Sequence, residues 1–257
     1  MTSRLPVFPL GTVLFPGLVL PLHIFESRYR DLVKHLVSRP DGEPREFGVV
    51  AIRQGWETLP TTPTPRPSSP PPRLGPPMPP APPPSPVSPP PPPSADVSLY
   101  EVGCTAELRQ VTELPDGRYD IVTVGRRRFR LVSVDTSAEP YLVAEVEWLP
   151  EPAGQEELAD LLAPRVLSVF RQYLKLIRDD DQDLTEQLPE DPTVLSHLVA
   201  ATAALTVDDR QRLLATPDTA GRLGAELRLL NRESTLLRQI RAVPVPLPEL
   251  AVPASPN

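Results

Sequence analysis

Residues 5–33 read LPVFPLGTVLFPGLVLPLHIFESRYRDLV, and this stretch decides the fold class of the chain. It begins as an apolar run that four prolines interrupt, namely Pro6, Pro9, Pro16 and Pro21. Because proline removes an amide donor and clashes with the preceding helical turn, this run cannot be a continuous helix. It predicts two short buried strands joined by a turn at Phe15-Pro16-Gly17.

The end of the same stretch has a different period. Apolar side chains recur at the spacing of an amphipathic helix, at Phe25, Tyr29, Leu32, Val33 and Leu36. Charged residues occupy most positions between them. We therefore predict one helix whose apolar stripe contains all five side chains, Phe25 included.

The rest of the first half is typical of a β-domain. Runs rich in Val, Ile, Tyr and Phe, several of them alternating with polar residues, predict five further strands. Asp116-Gly117 is a strong hairpin signal between two of them. Strands of this number suit a small closed or partly closed barrel, which leaves few free sheet edges. The predicted strands span 46–52, 97–108, 118–125, 127–135 and 140–149.

From about residue 155 the apolar period becomes helical. The pattern predicts four helices, and we expect the last of them to pack within a bundle, with a dimer seam as the alternative. The fold class is therefore α+β: a β-domain with one helix at 1–150, a helical subdomain at 151–242 and a disordered tail at 243–257. The predicted helices cover 158–177, 194–205, 207–215 and 220–241.

A proline-rich insertion interrupts the predicted β-domain. Of the 39 prolines, 20 lie between Pro60 and Pro93, where almost no side chain could build a core. Both flanks predict strands of one domain, so we interpret 58–95 as a disordered loop inside that domain. Its extra length costs little closure entropy. Its P-x-x-P patterns could also dock in an aromatic groove, but a spacer is the preferred interpretation.

Composition and charge limit the function classes. The formal net charge is −7, with 15 basic and 16 acidic side chains in 1–150 and 11 and 17 in 151–257. Neither half has the basic excess typical of a nucleic-acid-binding protein. Cys104 is the one cysteine, and the three histidines lie in no metal-ligand spacing. We therefore expect no metal and no cofactor. Without a signal peptide or an unbroken apolar span, we also expect a cytoplasmic protein with no membrane contact.

Several blocks of this sequence resemble, in the same order, the N-terminal domain of the ATP-dependent Lon protease, which binds that enzyme's substrates. The longest are PLGTVLFPG at 9–17 and LPLHIFESRYRDLV at 20–33. The resemblance covers residues 4 to 241 apart from the insertion. The later blocks are FGVVAIRQG (47–55), LYEVGCTAEL (99–108), LPDGRYDIVTVGRRRFRL (114–131), PYLVAEVEWLPE (140–151) and DPTVLSHLVAATAALTVDDRQRLLAT (191–216).

The resemblance implies a PUA-like pseudo-barrel and a substrate-binding role. The complete protease also needs an ATPase module and a Ser–Lys protease module, and neither signature is present here. No Gly-Lys dipeptide opens a phosphate-binding loop, and both lysines, Lys34 and Lys175, are predicted to lie on solvated helix surfaces. We therefore expect no catalytic residues and interpret the chain as a stand-alone Lon-domain protein.

A domain that recognises unfolded polypeptides must expose apolar side chains. The candidates are Phe15 and Leu18 at the Pro-Gly turn, Tyr29 on the first helix, Trp56 before the insertion and Tyr100 after it. Each of them could equally belong to the core, and for Phe15, Tyr29 and Tyr100 the core is the preferred interpretation.

The most basic cluster supplies the alternative function. PUA-type barrels in other families bind RNA, and Arg126, Arg127, Arg128 and Arg130 could contact phosphates. On a strand, however, Arg128 and Arg130 share one face and Arg127 lies on the other, so the four cannot form one phosphate track. RNA binding is therefore the second hypothesis.

The leading hypothesis is a non-enzymatic module that binds unfolded polypeptide or a protein partner. Two versions remain open: a free-standing peptide-binding module, and an adaptor in protein quality control that works with the full-length Lon protease. The oligomeric state stays open as well.

Overall fold

The computed structural model describes residues 2–40, 42–54, 98–177 and 188–242. The predicted insertion at 58–95 and the predicted tail at 243–257 lie outside these ranges. The described strands are β1 (Thr2–Leu10), β2 (Val19–Ile24), β3 (Glu46–Gln54), β4 (Ser98–Leu99), β5 (Val102–Glu113), β6 (Tyr119–Asp135) and β7 (Leu142–Trp148). The described helices are α1 (Ser27–Val37), α2 (Glu156–Ile177), α3 (Pro192–Thr202), α4 (Val207–Ala215) and α5 (Thr219–Ala242).

The strands form one mixed sheet that closes on itself. Its order is β1-β7-β6-β5-β3-β4, and β1 also pairs with β3 in parallel, with Phe8 opposite Val49. Five strands, β1, β7, β6, β5 and β3, therefore form a ring. β2 lies outside this ring and pairs antiparallel with the first half of β6.

The Pro-Gly turn between β1 and β2 is confirmed. The Leu18 amide donates to the carbonyl oxygen of Phe15 at 3.2 Å. Gly17 adopts a φ of +79°, a conformation that favours glycine because it has no Cβ. The first strand ends earlier than predicted, at Leu10, and the glycine reverses the chain before β2 begins at Val19.

Two strand predictions differ from the structure. The predicted strands 118–125 and 127–135 are one continuous strand, β6, because β5 pairs along both halves and absorbs the irregularity near Cys104 as a register shift. The predicted strand 97–108 is divided into β4 and β5, which pair with β3 in different registers.

The prediction for α1 is correct for four of its five apolar residues. Tyr29, Leu32, Val33 and Leu36 are buried in the core of the ring. Phe25 is not part of the helix, because Glu26 is the extended N-cap and the helix begins at Ser27. The Phe25 side chain is instead 52% exposed.

The four later helices pack mainly against one another. α5 packs against α2 and α3 around a cluster that contains Val166, Phe170 and Leu223. Asp191 caps α3, since its carboxylate accepts hydrogen bonds from the amides of Thr193 and Val194, both at 2.9 Å.

A shared apolar cluster joins the helices to the sheet. Phe15 and Val102 from the sheet side are buried together with Leu213 and Leu214 of α4. The Gln211 amide also donates to the carbonyl oxygen of Val102 at 2.7 Å. α4 therefore covers the part of the sheet next to the Pro-Gly turn.

A buried ionic cluster lies at the same junction. The fully buried Arg128 of β6 donates to Glu151 and, at 2.7 Å, to each of the carbonyl oxygens of Leu214 and Thr216. The fully buried Arg222 of α5 lies 3.3 Å from the other carboxylate oxygen of Glu151. One carboxylate therefore bridges a sheet arginine and a helix arginine.

The charges of this cluster determine its protonation. Burial acts to raise the pKa of Glu151, but the approach of His197 and the guanidinium of Arg128 outweigh it and lower the pKa to about 2. His197 lies 3.6 Å from Glu151, and burial lowers its own pKa. The junction therefore holds an ionised carboxylate, two arginines and a neutral imidazole at neutral pH.

Glu226 of α5 is a fully buried carboxyl group. Among the described residues its two carboxyl oxygens have no hydrogen-bond partner, and burial raises its pKa well above the ordinary value. The folded state therefore keeps a proton that the unfolded state releases. Between the two pKa values, stability must fall as the pH rises, because the unfolded state then binds fewer protons.

Replacing Glu226 by glutamine is expected to remove this pH dependence. The natural chain loses about 1.4 kcal/mol per pH unit from this one group within the window. Urea unfolding at a series of pH values from 5 to 8 should show a flatter profile for Glu226→Gln. The exposed variant Glu157→Gln serves as the control, and identical slopes in all three proteins would contradict the expectation.

Candidate functional site

β2 is apolar on both of its faces. Leu20, Leu22 and Ile24 point toward the core of the ring, and Ile24 is fully buried. On the opposite face, alternate side chains point to solvent, with Val19 62% exposed and Phe25, just beyond the strand, 52% exposed. We call this row of side chains the outer strip; it consists of Val19, Pro21, His23 and Phe25.

The outer strip continues onto β6. Val124 lies opposite Val19 and Val122 lies opposite Pro21, and both valines are half-buried. An open groove of about 350 Å³ runs over this part of the sheet. Its lining residues come from β2, β5 and β6: Pro21, Leu22, His23, Gln110, Thr112, Asp120, Ile121 and Val122.

Polar side chains close one end of the groove. Nδ1 of His23 lies 2.6 Å from the Asp120 carboxylate, and Nε2 lies 3.2 Å from the Arg118 guanidinium. Because a guanidinium can only donate, Nε2 accepts and Nδ1 carries the ring proton. The His23 and Phe25 rings stack with centroids 6.4 Å apart.

The outer edge of β2 also matters for binding. Among the described strands, β2 pairs with β6 and with no other. A proline within a strand is tolerated at such an edge, where no ladder needs its amide. Pro21 therefore fits the position of β2 and reduces the number of free donors along it.

The structure corrects two of the predicted peptide-binding residues. Phe15 is fully buried in the junction with α4. Tyr29 is buried, and its ring stacks on Phe8 with centroids 3.7 Å apart. Both side chains belong to the core, so neither is available to a ligand.

The other three candidates have different positions. Leu18 is half-buried and packs against the core. Tyr100 is half-buried and donates its hydroxyl to Asp208 of α4, a hydrogen bond that raises the pKa of the phenol. Trp56 lies outside the described residues. The structure does bring Phe15, Leu18 and Tyr100 together, but in one mostly buried cluster and not as an exposed patch.

The predicted arginine cluster is divided among separate ion pairs. Arg128 is buried and bound to Glu151, which excludes it from any phosphate track. The other three arginines are exposed, and each has its own carboxylate. These pairs are Arg126 with Glu107, Arg127 with Glu46, and Arg130 with Glu147.

This geometry does not favour RNA. A phosphate would have to displace a carboxylate from each arginine. Arg127 also stacks on Trp148, 3.9 Å from the ring centroid, which fixes its guanidinium against the sheet.

The sequence reasoning missed the outer strip itself. The alternation from Val19 to Phe25 was a usable signal, because every second residue points to the same side of a strand. An apolar residue on both faces of an edge strand is unusual unless one face binds something. The sequence analysis instead assigned Phe25 to the apolar stripe of the helix, because both the strand alternation and the helical spacing include that residue.

The described residues contain neither a membrane-spanning helix nor a metal-binding group of side chains. No described helix is both long enough and apolar enough to cross a bilayer. Within the described ranges, no three His, Cys, Asp or Glu side chains are grouped so that they could hold a metal ion.

Comparison with known proteins identifies the family. Residues 4–232 match the family model of the substrate-binding domain of the ATP-dependent protease La, or Lon. Lon protease 1 of Thermus thermophilus is 38% identical over 144 residues, which are 54% of this chain and 18% of that protein. Lon protease 2 of Myxococcus xanthus is 26% identical over 238 residues, which are 91% of this chain and 24% of that protein. The chain thus spans less than a quarter of the length of these relatives.

Solved structures share the fold. The N-terminal domain of the Lon protease from the Mycobacterium avium complex superposes with a TM-score of 0.55 at 17% identity, covering 91% of this chain and 98% of that one. A Lon N-terminal domain protein from Xanthomonas campestris gives a TM-score of 0.50 at 21% identity, covering 89% and 98%. With its mixed sheet and five described helices, this α+β chain belongs to the family of the Lon substrate-binding domain.

Proposed function

We propose that this chain is a non-enzymatic module that binds unfolded polypeptide through the outer strip. The observation that carries the proposal is the exposure of Val19, on a strand whose other face is core, and of Phe25 just beyond the end of that strand. A side chain of this size contributes about 1.5–3 kcal/mol when it becomes fully buried. Val19 and Phe25 together, beside the groove, can therefore contribute binding free energy for an apolar segment of an unfolded client.

The strand edge of β2 favours a client in extended conformation. An unpaired edge presents amide and carbonyl groups that a second strand can meet, while alternate side chains of that strand contact the same face. Unfolded chains can adopt this conformation locally, whereas native surfaces rarely offer it. The edge therefore supports selection of unfolded over folded protein.

Loss of the outer strip is expected to weaken client binding at least tenfold. A tenfold change corresponds to about 1.4 kcal/mol, and each of the two side chains contributes about 1.5–3 kcal/mol when it becomes fully buried. The variant is Val19→Ser with Phe25→Ser. The probe is fluorescein-labelled lactalbumin, reduced and carboxymethylated so that it stays unfolded, and the measurement is fluorescence anisotropy.

The matched control is Val132→Ser, which removes a 54% exposed valine from the other half of β6. It should bind the probe as the natural chain does. Equal affinity of the natural chain and the outer-strip variant would refute the proposed site. Failure of the natural chain to bind any unfolded probe would refute the function.

The remaining assignments are also proposals. We propose that the strand ring is a PUA-like pseudo-barrel and that α2 to α5 form a bundle, with the boundary near residue 150. The end of β7 at Trp148 and the start of α2 at Glu156 support this division. We further propose a cytoplasmic adaptor that acts together with the full-length Lon protease. A pull-down with purified Lon protease, with and without the unfolded probe, separates the adaptor from the free-standing module.

A further inference from the structure

The helical half carries an open cleft that takes no part in the outer strip. It lies between α4 and α5 and has a volume of about 220 Å³. Its apolar floor and its basic walls come from both helices. The floor consists of Leu213, Ala225 and Leu229, and the walls carry Arg212, Arg228 and Arg232.

The charges within the cleft do not balance. Among its described lining residues, Asp209 is the one carboxylate, and it already lies 2.8 Å from Arg232 and 3.6 Å from Arg212. The hydrogen bond from Arg232 lowers the pKa of Asp209, so this aspartate is ionised and occupied at neutral pH. Arg228 has no carboxylate partner among the described residues, and the Arg212 side chain is 79% exposed.

This basic lining stands out against its surroundings. Residues 151–257 carry 17 acidic and 11 basic side chains, so the helical half as a whole repels anions. Within the cleft, by contrast, a ligand meets three arginines and one carboxylate among the described lining residues. Long-range electrostatic attraction therefore does not draw an anionic ligand to the cleft, and such a ligand must bind through specific contacts.

We propose that the cleft binds a segment of a protein partner in which acidic side chains alternate with leucine-sized apolar side chains. Guanidinium groups hold carboxylates through paired hydrogen bonds, which are stronger than neutral ones. The apolar floor takes the neighbouring apolar side chain and excludes water from these contacts. The site is independent of the proposed function, because the outer strip contains no residue of α4 or α5.

The test uses the full chain and a short fluorescein-labelled peptide of leucine–glutamate repeats. Two companion peptides carry glutamine in place of glutamate, or serine in place of leucine. Charge reversal in Arg228→Glu is expected to weaken binding of the first peptide about tenfold, since a hydrogen bond to a charged group contributes ~1.5–3 kcal/mol. The same charge change in Arg238→Glu, farther along α5, controls for general electrostatics and should have little effect.

Each result decides the proposal. Tight binding of the first peptide, loss with both companions and a selective effect of Arg228→Glu would support it. Equal weakening by Arg238→Glu, or equal binding of the serine peptide, would overturn it in favour of nonspecific charge or a simple anion site. Loss of peptide binding in the outer-strip variant would also overturn it, since the peptide would then bind at β2. Unchanged thermal unfolding of Arg228→Glu confirms that this exposed substitution leaves the fold intact.

Discussion

Replacing Gly125 by alanine is expected to lower the free energy of unfolding by about 3 kcal/mol, the upper end of the usual cost of overpacking. An added Cβ would lie 2.1 Å from the carbonyl oxygen of Phe15 and 2.9 Å from its carbonyl carbon. The Gly17 amide donates to Gly125 and the Gly125 amide donates to Leu18, both at 2.8 Å. These hydrogen bonds hold the two backbones together, so no side-chain rotation relieves the clash.

Equilibrium unfolding in urea measures this effect. Gly224→Ala is the matched control, because its Cβ would meet no atom closer than 3.9 Å and it lies inside α5. Alanine is favoured over glycine in a helix interior by about 0.5–1 kcal/mol, so the control should be more stable than the natural chain. An unfolding midpoint for Gly125→Ala at or above that of the natural chain would show that the Pro-Gly turn can move.

The Glu151→Ala variant is expected to lose about 3 kcal/mol of stability, near the lower end for breaking a buried ion pair. The substitution leaves Arg128 and Arg222 buried without their counter-charge. The lower end applies because the Glu151 side chain is 29% exposed and water can enter in its place. The backbone carbonyl groups around Arg128 also remain as acceptors.

The same carboxylate predicts a pH dependence. The folded state lowers the pKa of Glu151 to about 2 from its ordinary value of 4.5. Its contribution is therefore complete above the unfolded pKa and is lost as the pH falls through this window. Urea midpoints between pH 5 and pH 2.5 should fall more steeply for the natural chain than for Glu151→Ala.

The control for the buried pair is an exposed one on the same sheet. Glu147 lies 3.5 Å from Arg130, and both side chains are about half exposed. Glu147→Ala should cost less than about 1 kcal/mol, as exposed ion pairs do. Equal losses from the two variants would mean that the junction cluster is solvated and does not stabilise the contact between sheet and helices.

Local sequence patterns predicted the structure correctly wherever a single turn, strand or helix determines its own conformation. Proline spacing placed the Pro-Gly turn, because Pro16 and Gly17 act through their own dihedral angles. The helical period identified the buried stripe of α1 from Tyr29 to Leu36. The helix predicted at 194–205 is present as α3, whose start is set locally by the cap of Asp191.

The candidate binding residues that turned out to be buried depended on contacts between distant elements. Phe15 was a candidate for binding because it lies at a turn, but α4, about two hundred residues later, covers it. Arg128 was a candidate for RNA because it lies in the most basic cluster of the sequence, but Glu151 and the carbonyl groups near α4 enclose it. The residues that neighbour Phe15 or Arg128 in sequence do not indicate which distant part of the chain will cover them.

The sequence by itself determined the fold class, the order of strands and helices and the family, because residue order and local period carry that information. Tertiary structure alone decided which apolar residues remain on the surface. Burial depends on what packs against a side chain, so Phe15 and Tyr29 became core and Val19 and Phe25 became the outer strip. The opening stretch at 5–33 thus supplies both the first strand of the ring and the surface that we propose for binding.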